Sequence, residues 1–474
     1  MIDFSNHTAM ISGAVDRRSQ DYAELSDSIW EVPEINYEER ESARLHAGML
    51  SREGFTVVEE FGGIPTALAG EAGETGPIIA ILGEYDALPG LSQQAGVARK
   101  SPVSPHGHGH GCGHNMLGAA SLLAAAALKE CLAKIGVAGR VRYIGCPAEE
   151  GGSAKSFLVR SGAFDDVSAA LCWHPSAFTG LMEPSSLACM EVLFEFDGVA
   201  SHAAVAPEEG RSALDAVELM HVGVNYLREH IPPHARLHYA IVNTGGTAPN
   251  VVQSYAAARH IIRGANLNDM WALFSRVCKI AEGASLMTGT TVKWQQTSGE
   301  ANLVGNSVLE SLMFEALKDI GPPVFDAVDE AFAIEIARTL PEGAVDRAFA
   351  ARGLNRSRGA VLATELSARG PKQQGLGSTD VGSVSWVVPT AQCHVACYAA
   401  GTPGHSWQLV AQGKSRAAHK GLVQAAKAMA LTALRLLADP DILGRAREEH
   451  ALKVKNEPFR NPVSDVTYPP WAVS

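Results

Sequence analysis

Four segments of this chain place carboxylate or imidazole side chains directly after apolar runs. Glu84, Tyr85 and Asp86 follow residues 77–83 (PIIAILG), and Glu149 and Glu150 follow 141–146 (VRYIGC). His174 follows 168–173 (SAALCW), and His405, in GTPGHSW, follows a run over 392–399. A fifth segment, HGHGHGCGHN over 106–115, offers Cys112 and His114 with one residue between them. Thiolate and imidazole suit Zn²⁺ and softer ions, whereas carboxylates also accept harder ones such as Mn²⁺. Adjacent carboxylates at a turn point in different directions, so one of Glu149 and Glu150 can ligate a cation while the other reaches a bound water. Pro147 and Gly151-Gly152 constrain that turn.

Taken singly, each feature has an ordinary explanation. A Glu-Glu pair is usually a solvated loop, and a histidine at a strand end is usually a satisfied core residue. His106, His108 and His110 read as a His/Gly loop that scavenges metal or does nothing. The coincidence is what argues for a site, because ligands in open parallel sheets bind outside the carboxyl ends of the strands. Asp86 is expected to accept a hydrogen bond from a ligand histidine, with Glu84 a lesser candidate for that role. Further along, residues 198–204 (GVASHAA, with His202) and 245–250 (GGTAPN, with Asn250) each follow a strand-like run, and Arg263 ends another. Such loops can bind a substrate carbonyl and carboxylate.

The elements that would carry these groups follow from periodicity. Continuous apolar runs over 77–83, 141–146, 168–173 and 392–399 predict strands buried on both faces. Residues 16–54 predict helix with an interruption near Pro33, and Gly62, Gly63 and Pro65 mark a turn. The Ala-rich stretch 116–134 and residues 415–437 predict helices. Between them lie strand 189–197, helix 211–229, strands 236–243 and 255–263, helix 267–286 and strand 291–298. That βαββαβ order describes a small α+β layer. The expected fold class is therefore α/β. A doubly wound, mostly parallel catalytic domain is built from residues 1–187 and 301–474, and residues 188–300 are inserted into it. Residues of about 322–372 lack a clean period and read as a further insertion or a lid.

Composition narrows the function. The chain has 474 residues, 46% of them hydrophobic, which supports a large core and more than one domain. A formal net charge of −12 argues against a nucleic-acid binder. Eight cysteines without a CxxC pair argue against a disulfide framework. No apolar leader with a basic flank precedes the first helix, and the stretch 121–128 is too short to span a bilayer. A cytoplasmic setting without membrane contact is the expectation.

GEYDALPG, GHGCGHNMLGAA, CPAEEGGSAK, CWHP, SHAAVAPEEGRSALDA, GGTAPNVV and GTPGHSW together resemble the M20 metallopeptidases, in particular the amidohydrolases of subfamily D. The resemblance runs over nearly the whole chain. It implies two divalent metal ions per chain, Mn²⁺ or Zn²⁺, with Cys112 between them. Glu150 and His405 would complete one site, and His114 and His174 the other. Glu149 would be the general base, and His202 would polarise the scissile carbonyl, reaching across a dimer. Asn250 and Arg263 would bind substrate, and residues 188–300 would form a lid or dimerisation domain. The implied reaction is hydrolysis of the amide of an N-aroyl or N-acyl amino acid, glutamate first. The implied assembly is a homodimer, or a hetero-oligomer with a paralogous subunit. Asn115 and Gln253 depart from the wider family, where Asp and Pro are common. Three other readings stand beside this one: another amide conjugate as substrate, a binding or scaffolding subunit, and a metal-storage protein built on the His tract.

Overall fold

Strands without polar alternation must be covered on both faces, and the larger sheet shows this directly. The structure is a computed structural model describing residues 5–357, 359–368, 375, 377–464, 467 and 471. In chain order the first elements are α1 (Ser5–Asp16), α2 (Ser19–Glu31), α3 (Arg40–Arg52), β1 (Thr56–Glu59), β2 (Leu68–Ala72) and β3 (Ile78–Glu84). There follow α4 (His114–Ile135), β4 (Arg140–Cys146), α5 (Ala154–Arg160), β5 (Val167–Ser176) and β6 (Gly180–Leu181). The middle of the chain holds β7 (Ala188–Asp197), α6 (Ala213–Leu227), β8 (Arg236–Asn243), β9 (Tyr255–Gly264), α7 (Leu267–Thr288) and β10 (Thr291–Glu300). Then come α8 (Ser307–Ile320), α9 (Ala327–Ala337), α10 (Ala344–Ala351), α11 (Val381–Val387) and β11 (Thr390–Ala396). The chain continues through α12 (Trp407–Gln412), α13 (Arg416–Ala438) and α14 (Pro440–Val454). Two units result. One comprises Met1–Pro184, Val304–Gln373 and Val384–Phe459, and the other Ser185–Leu303, Gln374–Ser383 and Arg460–Ser474.

The first unit contains a seven-stranded sheet of order β1-β2-β4-β3-β5-β11-β6. Its centre, β4-β3-β5-β11, is parallel. Every residue of β3 is buried. Helices α4 and α13 pack on each other and on the central strands. The alanines of α4 between Ala119 and Ala127 are essentially unexposed, and their small side chains let the helix sit close to the sheet. By length and composition α4 and α13 could each cross a membrane, but 83% and 78% of their most apolar windows are buried, as in core helices. Residues 121–128 are thus only part of a 22-residue apolar helix, and its burial in the core accounts for it better than its length does. In the second unit the sheet order is β10-β7-β9-β8, antiparallel throughout, with α6 and α7 packed on β7 and β9. Ser212 and Asn266 cap the two helices by accepting the N–H of Asp215 and Asp269.

The structure departs from the sequence expectations in four places, the first being that residues 374–383 and 460–474, expected in the catalytic domain, cluster with the second unit. β1 and β2 extend the sheet antiparallel on either side of the expected turn near Gly62. They are too short to register as periodic runs. His174 lies inside β5 rather than after it, directly opposite His394 of β11. Residues 322–372 are not featureless: α9 begins at a capping box of Asp326 and Asp329, and with α10 it packs around Phe178, Ile336, Phe349, Ala399 and Ala400. Residues 358 and 369–372 of that stretch lie outside the described residues.

The interleaving of α4 with the sheet predicts a large local cost for truncation there. Leu123→Ala, at a fully buried site, should cost about 2–5 kcal/mol and lower the denaturation midpoint. Leu286→Ala, at a site 84% exposed, should stay within about 0.5 kcal/mol. Equal midpoints for the two variants would contradict this packing.

Candidate metal centre

Parallel strands deliver their carboxyl ends to one edge, and the sequence-predicted groups meet there. Cys112 and His114 flank Gly113, whose φ of 81° turns the chain into the first turn of α4. Glu149 and Glu150 sit in the loop after β4 and His174 in β5. His405 lies in the loop before α12, with a φ of 52° and its N–H bonded to Gly111 O at 2.9 Å. Three groups of ligand atoms lie within 4.8 Å of one another: Cys112 with His114 and His174, Cys112 with Glu150 and His405, and Glu84 with His114 and Glu149. The first two share the Cys112 sulfur.

Hydrogen bonds aim these side chains. The His114 Nδ1–H donates to Asp86 Oδ1 at 2.8 Å, which turns Nε2 toward the cluster. Asp86 Oδ2 accepts the Glu150 N–H at 2.8 Å, so one carboxylate orients two neighbouring groups. The His174 Nδ1–H donates to the Pro175 carbonyl at 2.8 Å, leaving Nε2 3.3 Å from Cys112 Sγ. His405 Nε2 lies 3.3 Å from Glu150 Oε2. His114 Nε2 and Glu150 Oε1 are both buried without a hydrogen-bond partner. Unpartnered buried lone pairs are costly and are what a bound cation would satisfy.

Charge points the same way. Glu84, Asp86, Glu149 and Glu150 crowd the site, and the fully buried Lys155 pairs with Glu84 at 2.7 Å. The carboxylates thus outnumber the ammonium set among them. Burial alone would raise the Glu150 carboxyl, but the His405 hydrogen bond and, when its ring is protonated, the neighbouring His114 hold it at about 2. Burial and the Glu150 carboxylate push the Cys112 thiol well above its ordinary range. Deprotonating it needs a compensating positive charge, which a divalent ion supplies. The donor set fits divalent metal.

The remaining expected residues join none of these ligand groups among the described residues. His110 is buried and bonds the Ile29 carbonyl at 3.1 Å, and none of His106, His108 and His110 joins a ligand group among the described residues. Asn115 donates to Ser26 Oγ at 3.0 Å and to the Gly413 carbonyl at 3.1 Å. An Asp could not make those donations, which accounts for that departure. His202, Asn250 and Arg263 belong to the second unit. A β-bridge between His202 and Val251 joins the first two loops, and the Ala203 N–H bonds the Asn250 carbonyl at 3.0 Å. Arg263 donates to Ser378 Oγ at 2.7 Å from the far end of β9. Eight residues from Tyr255 at ~3.3 Å each put Arg263 roughly 26 Å along the strand from those loops. Glu84 is more central than its sequence position suggests, lying 3.4 Å from His114 Nε2. Lys155 is an addition that the sequence does not single out. Lys155 lies inside the CPAEEGGSAK segment, where its type among so many acidic neighbours is the available signal.

Residues 80–361 match peptidase family M20/M25/M40. Over 464 residues, 96% of each chain, the protein is 46% identical to a subunit of the p-aminobenzoyl-glutamate hydrolase of Escherichia coli (strain K12). It is 30% identical to the Xaa-Arg dipeptidase of Mus musculus, over 94% of this chain and 93% of that one. Among solved structures, a dinuclear metal-binding peptidase of the M20 family from Bacillus subtilis shares the fold with a TM-score of 0.54 and 17% identity, covering 89% of this chain and 99% of that one. The chain is a hydrolase belonging to peptidase family M20/M25/M40.

Proposed function

We propose that the chain hydrolyses the amide bond of an N-aroyl or N-acyl amino acid, with p-aminobenzoyl-glutamate or a similar N-acyl glutamate as substrate. The observation that carries the reaction class is the Cys112 sulfur shared by two ligand groups, with Glu149 grouped beside them. The substrate rests on the 46% identity to the Escherichia coli protein. Cys112, His114 and His174 would hold one ion, and Cys112, Glu150 and His405 a second. The thiolate suits Zn²⁺ and the carboxylates also suit Mn²⁺.

Bound ions of this kind supply Lewis acidity, lowering the pKa of a water and polarising the amide carbonyl. Glu149 takes a proton from the attacking water on its carboxylate and delivers it to the nitrogen of the leaving amine. His202, reaching across a dimer, donates a hydrogen bond to the developing oxyanion. The exposed His202 and Asn250 loops belong to residues 188–300, which act as lid and dimerisation domain, with Asn250 touching substrate. The chain works in the cytoplasm as a homodimer, or with a paralogous subunit, as the relative's designation as a subunit suggests. That same designation favours a second reading, in which this chain alone binds and its partner completes the enzyme. Activity of the purified single chain separates the two.

Glu149→Gln should keep the wild-type metal content and lose about 10²–10⁴-fold in kcat, read by hydrolysis of p-aminobenzoyl-glutamate. Retained turnover would remove Glu149 from the role of base. Asp86→Ala releases both the His114 ring and the Glu150 N–H, so metal affinity measured by titration calorimetry should weaken about 10–100-fold. Unchanged affinity would show that Asp86 orients neither group.

A further inference from the structure

The loop that carries Glu149 and Glu150 is gripped from outside the metal centre. Ala148, which begins it, holds a φ of 52°, a strained value for a residue with a Cβ. Its N–H donates to Glu39 Oε1 at 2.9 Å. Glu39 itself is completely buried, and its Oε2 accepts the hydroxyl of the equally buried Thr66 at 3.0 Å. At the other end of the loop the Tyr37 hydroxyl donates to the Gly152 carbonyl at 2.6 Å. The Gly152 N–H closes the loop on the Ala148 carbonyl at 2.9 Å. A Cβ on Gly152 would come within 2.6 Å of both the Ala148 Cβ and the Tyr37 ring. The connector between α2 and α3 therefore fits against the loop without slack. Between these two anchors the Glu150 N–H, bonded to Asp86, ties the loop to a residue that orients a ligand.

The geometry points to Glu39 as a positioning residue that sets the loop bearing the base and a metal ligand. The inference rests on the assignment of Glu149 and Glu150 proposed above. Glu39 acts through its reach and its hydrogen bonds to the Ala148 N–H and the Thr66 hydroxyl. Burial first, and then the Asp86 carboxylate, raise its carboxyl to about 8. One oxygen serves the Ala148 N–H and the other the Thr66 hydroxyl, so the two anchors use separate atoms of one side chain. A glutamine offers the same acceptor to Ala148, and its amide donates to Thr66 once that hydroxyl turns to accept. An aspartate is one methylene too short to reach Ala148.

The test compares Glu39→Gln with Glu39→Asp in metal-reconstituted protein, both checked for folding by thermal melting. Glu39→Gln should hydrolyse p-aminobenzoyl-glutamate at a wild-type kcat. Glu39→Asp should lose about 10–100-fold in kcat with little change in KM, the scale expected when a catalytic group shifts by about an ångström. The Co²⁺ absorption spectrum gives a second readout without turnover. It should match wild type for Gln and shift for Asp, because Glu150 moves with the loop. Should the wild type hydrolyse nothing, the spectra still decide the positioning role, and the two readings fail separately. Wild-type behaviour of Glu39→Asp, equal impairment of a folded Glu39→Gln, or an effect confined to KM would each overturn it.

Discussion

A concentration of negative charge at one sheet edge is the constraint on which the rest of the site depends. Glu84, Asp86, Glu149 and Glu150 converge beside the Cys112 thiol, and the buried ammonium there belongs to Lys155. Buried carboxylates repel one another and lose hydration, so the arrangement favours positive charge beside them. Divalent cations meet that need, and His114 Nε2 and Glu150 Oε1, both buried without a hydrogen-bond partner, are atoms that would coordinate them.

The fold makes this crowding possible by delegating each group to a separate element. β3 supplies Glu84 and leads into Asp86, β4 leads to Glu149 and Glu150, β5 carries His174, and α4 begins at His114. Asp86 then couples two of these deliveries by bonding both His114 and Glu150. The hydrophobic core lies directly behind, where α4 and α13 bury their alanine and leucine faces on the parallel strands. The helices α9 and α10 pack against Ala399 and Ala400, just ahead of the His405 loop.

Much of this was legible from the sequence because burial on both strand faces leaves a plain apolar run, and polar residues at its end stand out. The six-element order of the second unit was readable for a related reason, since alternating strands and capped helices differ in period. What escaped has physical causes too. β1 and β2 are four and five residues long and carry no buried-on-both-faces signature. Lys155 forms its pair through tertiary approach to Glu84, which no spacing reveals. Glu39 lies 109 positions from Ala148, and its buried acceptor role is invisible until the connector and the loop are seen together.

Cys112, shared by both ligand groups, would join two cations in one cluster. Titration of the metal-free chain with Mn²⁺, followed by low-temperature electron paramagnetic resonance, tests it most directly. The account predicts saturation at two ions per chain with the spectrum of an exchange-coupled pair. Saturation at a single ion, or two ions with the spectra of isolated Mn²⁺, would contradict it.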